Sequence, residues 1–165
     1  KIENCTLVDC KSGLNLNAST NVEVDGLWFE GPGYGIRAGQ SSGSPVDSTL
    51  VISNSVLIGT SGCTAADLGD PDTALVLRGD SPKNITISGS VIMNTNPGSY
   101  AIANVNSLNA GSYSLTISGN YWGETDYSSG LLGGLGDAGV TCASYYQDAA
   151  YTTAPPTLSN LVNIP

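Results

Sequence analysis

The stretch ITISGSVIMNTNPGSYAIANVNS, Ile85–Ser107, alternates apolar and polar residues as a strand does, breaks at Gly89, and alternates again. Ile85 and Ile87 share one parity before the break, and Ser90 and Ile92 share one parity after it, so each side presents one face to a common interior. Gly and Asn reach left-handed backbone angles at the least steric cost, so a sharp corner is expected at Gly89. Two short strands meeting at such a corner cannot bury an apolar face alone, and the same arrangement must therefore recur elsewhere in the chain.

It occurs five times in all. IENCTL from Ile2, VDGLWF from Val24, ISNSVL from Ile52, ISGSVI from Ile87 and ISGNYW from Ile117 fall into one register. Their starts lie 22, 28, 35 and 30 residues apart, which means constant strands joined by loops of variable length. The corner residues are Asn4, Gly26, Asn54, Gly89 and Gly119. Beyond each corner, Cys5, Leu27, Ser55, Ser90 and Asn120 point inward, followed two positions later by Leu7, Phe29, Leu57, Ile92 and Trp122. A third strand follows in four of the units: Gly13 to Leu16, Gly35 to Ala38, Ala74 to Leu77 and Tyr100 to Ala103. Three short strands per turn, stacked so that every coil needs neighbours above and below, predict a parallel β-helix, an all-β solenoid. The expected organisation is one domain over residues 1–165. Residues 1–125 form about five repeat coils, and residues 126–165 form a Gly-rich loop, a closing coil and an extended C-terminal tail.

Composition agrees with this reading and narrows the function. The chain has 165 residues, of which only 12% are charged and 21 are glycine. Acidic residues outnumber basic ones 14 to 5, a formal charge of −9. Such a surface repels nucleic acid and anionic lipid, and no run is apolar enough to enter a membrane. Few lysines, abundant Ser, Thr and Asn, and four cysteines fit an exported protein at the cell surface or beyond. The sequons at Asn4, Asn17 and Asn84 fit the same compartment. There is no histidine, so neither a Ser-His-Asp nor a Cys-His arrangement is available.

The five segments together, from Ile2 to Trp122, resemble the right-handed single-stranded parallel β-helix repeats of the pectate-lyase-like class. The ending ISGNYWGE with the later YYQDAAYTTAPP is similar to the terminal coil and extended tail of many such proteins. That resemblance implies fold more than function, because the fold carries lyases, hydrolases, adhesins and structural proteins. In the lyases a Ca²⁺ held by carboxylates stands beside an outward arginine that acts as base.

The loop DLGDPDTA places Asp67, Asp70 and Asp72 within six residues, enough oxygen for a calcium ion, although Asp-Pro-Asp is equally ordinary turn chemistry. Arg37 and Arg78 each follow an inward apolar residue and are expected to face outward. The family's acid constellation on successive coils has no counterpart, so the expectation is a non-enzymatic protein with no cofactor. The alternative is a polysaccharide-binding or lyase-like β-helix working through this loop with Ca²⁺. LRGDSP, Leu77 to Pro82, contains Arg-Gly-Asp but reads as a corner. Among the cysteines, a Cys63–Cys142 disulfide is expected to pin the tail to the longest loop. Cys5 and Cys10 are then a local pair or thiols.

No polar coil or helix precedes Ile2, so the first coil is expected to need a cover. Either the chain is the distal piece of a longer β-helix protein, or another copy supplies that cover. The leading expectation is a homopolymer: a structural subunit stacking head to tail into an extracellular filament or surface fibre. Its interface would draw on Ile2, Leu7 and Leu14 at one end and on Trp122, Tyr145, Tyr146 and Tyr151 at the other. An adhesin or fibre-tip fragment is a further alternative, and an extracellular polysaccharide is the other partner considered.

Overall fold

The computed structural model describes residues 1–16, 21–39, 46–64, 71–104, 114–121, 132–133 and 140–145, with the backbone alone at 104, 132–133 and 140–145. The described residues form fifteen strands, numbered in chain order, and no helix. Every strand pairing is parallel.

Three sheets run side by side. The first stacks β1 (Ile2–Glu3), β4 (Val22–Asp25), β7 (Val46–Ser53), β10 (Pro82–Ser88), β13 (Ser114–Asn120) and β15 (Val140–Tyr145) in that order. The second stacks β2 (Thr6–Val8), β5 (Trp28–Gly31), β8 (Val56–Gly59) and β11 (Val91–Asn94), and a bridge from Val91 to Tyr121 adds a fifth rung. The third stacks β3 (Ser12–Leu16), β6 (Tyr34–Ala38), β9 (Leu75–Leu77), β12 (Ile102–Asn104) and β14 (Leu132–Gly133). In chain order the strands visit first, second and third sheet in turn, and each circuit lies on the one before. This is the parallel β-helix that the repeat predicts.

The predicted register is the observed one along the core. Val22, Leu50, Ile85 and Leu115 stack, as do Val24, Ile52, Ile87 and Ile117. Leu7, Phe29, Leu57 and Ile92 form the ladder of the second sheet. In the third sheet Leu14, Ile36, Leu75 and Ile102 align. Reading the fourth-coil strand from Tyr100 sets it one residue early, because Ile102 rather than Ala101 lies on Leu75. Trp122, the proposed fifth rung of the second-sheet ladder, lies outside the described residues, as do Asn17 and the tail from Tyr146 onward. Phe29, Ile36, Ile52, Leu57, Leu75, Ile87 and Ile92 are fully buried. Each such side chain contributes roughly 1.5–3 kcal/mol by leaving water.

All five predicted corners have left-handed backbones: φ is 52° at Asn4, 69° at Gly26, 49° at Asn54, 57° at Gly89 and 60° at Gly119. The corner turns the next amide along the solenoid axis, where it needs an acceptor from the following coil. Leu27 N–H donates to Ser55 Oγ (3.1 Å), Ser55 N–H to Ser90 Oγ (3.1 Å), and Ser90 N–H to Asn120 Oδ1 (3.0 Å). The hydroxyls in turn donate backwards, Ser55 to Ser53 O and Ser90 to Ser88 O, while Asn120 Nδ2 donates to Ile87 O. Three polar residues thus sit fully buried beside an apolar core with their groups satisfied.

Candidate functional site

The end of the solenoid formed by the first coil is the most distinctive feature of its surface. Among the described residues, β1, β2 and β3 are the end strands of all three sheets on the same side. Ile2 stacks on Val24, Leu7 on Phe29 and Leu14 on Ile36. The inner member of each pair is fully buried, whereas Ile2, Leu7 and Leu14 are only partly so. Cys5 and Cys10 pack beside them, also partly buried. Around this apolar cross-section stand exposed Lys1, Glu3, Asp9 and Lys11, charges of both signs.

Lys1 Nζ lies 2.8 Å from Glu3 and 3.9 Å from Asp25, and the Glu3 contact holds the Lys1 ammonium above its ordinary pKa. Asp25 marks the second-coil corner. The Asn54 amide donates to it at 2.9 Å and the Ser53 hydroxyl at 3.0 Å. The Asn54 hydrogen bond, helped by Ser53 and Lys1 and opposed by desolvation, holds the Asp25 carboxyl below its usual range.

The acidic loop is represented by Asp72 alone, which is exposed just before β9; Asp67 and Asp70 lie outside the described residues. Among the described residues no three Asp, Glu or Cys side chains converge on a point that could hold a metal ion. Arg37 lies over the Tyr34 ring, 4.6 Å from its centroid, and both sit on β6. Arg37 is level with Val76, so Arg78 stands two residues further along and the two arginines do not share a column. Arg78 N–H donates to Ala38 O, and Ser81 N–H closes a turn onto Arg78 O at 2.9 Å. Asp80 packs against the left-handed Gly39, where a Cβ would meet its Oδ1 at 2.7 Å. Arg-Gly-Asp is therefore a solenoid corner.

No protein-family model, curated protein or solved structure matches this chain.

Cys5 and Cys10 are thiols and not a local pair; their Sγ atoms donate to Glu3 O and Val8 O, each at 3.4 Å. Cys63 is buried, with its N–H on Ser99 Oγ and its carbonyl accepting from Tyr100 N–H. The Cys142 backbone stands opposite Ile117 in β15, but its side chain lies outside the described residues. The Tyr145 backbone stands opposite Asn120, again without a described side chain, and Tyr146 and Tyr151 are not described.

The outward face of the second sheet is apolar: Val56, Val91 and Tyr121 are buried and cluster with Trp28, Ile58 and Met93. Its signal was present in Val56-Leu57-Ile58 and Val91-Ile92-Met93, where residues of both parities are apolar. Outward Val76 and Ala103 on the third sheet are fully buried as well.

Proposed function

We propose that this protein is a non-enzymatic, exported structural subunit whose first-coil end docks on the far end of a second copy, building an extracellular filament. The observation that supports this reading is the partial burial of Ile2, Leu7 and Leu14, where the second coil buries the equivalent Val24, Phe29 and Ile36 completely. Continuing a parallel sheet requires a strand running the same way. The far end of another copy offers that in all three sheets at once, whereas two first-coil ends face to face would run antiparallel. An apolar patch rimmed by charges has the anatomy of an interface centre and rim. End-to-end contact of this kind does not close and therefore propagates. The coil architecture is also in keeping with the pectate-lyase-like class, whose members include structural proteins.

Sedimentation and electron microscopy of the 165-residue chain test the proposal. Raising the concentration should produce fibres with an axial repeat of roughly 24–29 Å, five to six rungs at about 4.8 Å. Fusing a capping helix before Lys1 should leave the solenoid folded and yield monomers. An uncapped chain that stays monomeric at high concentration, with its first coil ordered, overturns the proposal.

A further inference from the structure

The corners of the first and third coils are built alike. Asn4 and Asn54 hold left-handed backbones, with φ of 52° and 49°, where the other coils place Gly26, Gly89 and Gly119. Both main-chain N–H groups donate one coil forward, Asn4 to Asp25 O at 3.0 Å and Asn54 to Ser88 O at 3.2 Å. Both side-chain carbonyls lie toward the glycine of the next corner. A Cβ on Gly26 would meet Asn4 Oδ1 at 2.7 Å, and one on Gly89 would meet Asn54 Oδ1 at 3.3 Å. The Asn54 side-chain amide faces the other way and donates to Asp25 Oδ1 at 2.9 Å, one coil back. Asn4 is exposed, and its Nδ2 has no hydrogen-bond partner among the described residues. A residue with a Cβ enters the left-handed region against steric resistance. In the third coil the bond to Asp25 offsets that resistance; in the first coil no described group does.

We propose that the Asn4 amide is the register-fixing contact of the stack, donating to Ser144 at the far end of the neighbouring copy. This rests on the end-to-end docking proposed above. Glu3, Asp25, Ser53, Ser88, Ser118 and Ser144 follow one another in a single column of the first sheet. One extra residue, Ala143, precedes the last of them. A copy docked in parallel register sets its Glu3 next in that column, beyond Ser144, with its Asn4 alongside. The template is the third coil, where the Ser53 hydroxyl joins Asn54 in donating to Asp25, at 3.0 Å. Across the joint the acid and the hydroxyl exchange places. The Ser144 hydroxyl accepts from Asn4 and donates to the Glu3 carboxylate, and a hydroxyl can do both. A slip of one residue would turn every inward column outward and part Asn4 from Ser144. The contact therefore selects the one rotation about the axis in which first sheet continues first sheet.

The test is the critical concentration for assembly of the 165-residue chain, read by sedimentation. Asn4→Gly keeps the left-handed corner and removes the amide, and it should raise that concentration roughly three- to tenfold. Ser144→Ala should raise it at least as far. Adding Asn4→Gly to Ser144→Ala should change nothing more, because the bond between them is already gone. Circular dichroism of each dilute variant should match the parent. Should Asn4→Gly fold poorly, Asn4→Asp replaces it, keeping the corner while exchanging the donor for an acceptor, and should likewise raise the concentration. Assembly of either single variant at the parent's concentration overturns the inference and leaves end-to-end docking standing, as do effects of the two substitutions that multiply. A parent chain that stays monomeric at high concentration overturns both. A glycan on Asn4 of the assembled protein, where the sequon stands, would block the amide and overturn the inference alone.

Discussion

At the scale of single residues, the corners carry the specificity of the fold. Asn54 holds a left-handed backbone without being glycine, and its amide donates to Asp25 one coil back. The same residue therefore shapes its own corner and fastens the preceding one. That hydrogen bond gives the protein a pH dependence. Because the Asp25 pKa is lower in the folded chain than its ordinary value of 3.8, its contribution to stability is present above that value. It is lost as pH falls through the lower, folded-state pKa. Urea midpoints measured from about pH 5 down to about pH 2 should decline, and Asp25→Asn should flatten part of that decline. An identical decline in the variant would mean that other carboxylates account for all of it.

At the scale of elements, the stack depends on an axial hydrogen-bond ladder as well as on apolar burial. Ser90 is its middle member, accepting from Ser55 N–H and donating to Ser88 O. Ser90→Ala leaves the Ser55 amide buried without an acceptor and should destabilise the protein by about 1–3 kcal/mol, read from denaturant unfolding. A loss near zero would show that water enters the corner and satisfies that amide. The third sheet is joined by close backbone approach instead. A Cβ at Gly35 would meet Ala74 O at 2.6 Å and the Phe29 ring at 2.8 Å, so this strand start needs glycine for space.

At the scale of the molecule, each coil touches only its neighbours, so stability should be graded along the axis. Among the described residues β7 and β10 are paired on both sides, whereas β1, β2 and β3 are each paired on one side. Hydrogen exchange on the monomer should be slowest in β7 and β10 and fastest in the first coil. When copies stack, protection should rise in the first coil ahead of the middle. First-coil amides that already exchange as slowly as those of β10 at low concentration would contradict this gradient.

What the sequence by itself determined is local: five corners, the inward parity on either side of each, and hence a solenoid. Corner angles depend on Gly or Asn at one position, and parity depends on alternation within a few residues, so both can be read without knowing any contact. The first-coil residues Ile2, Leu7 and Leu14 were legible for the same reason, as inward positions of the first repeat. Only the tertiary structure decided what lies on the outward faces. Val56 and Thr86 occupy equivalent outward parities, yet one is buried and the other half-exposed. The tertiary structure also set Ile102 on Leu75, separated Arg37 from Arg78, and kept Cys5 and Cys10 apart. These outcomes depend on loops of unequal length and on groups distant along the chain, and alternation carries no information about how far a loop reaches or what it brings to a neighbouring coil.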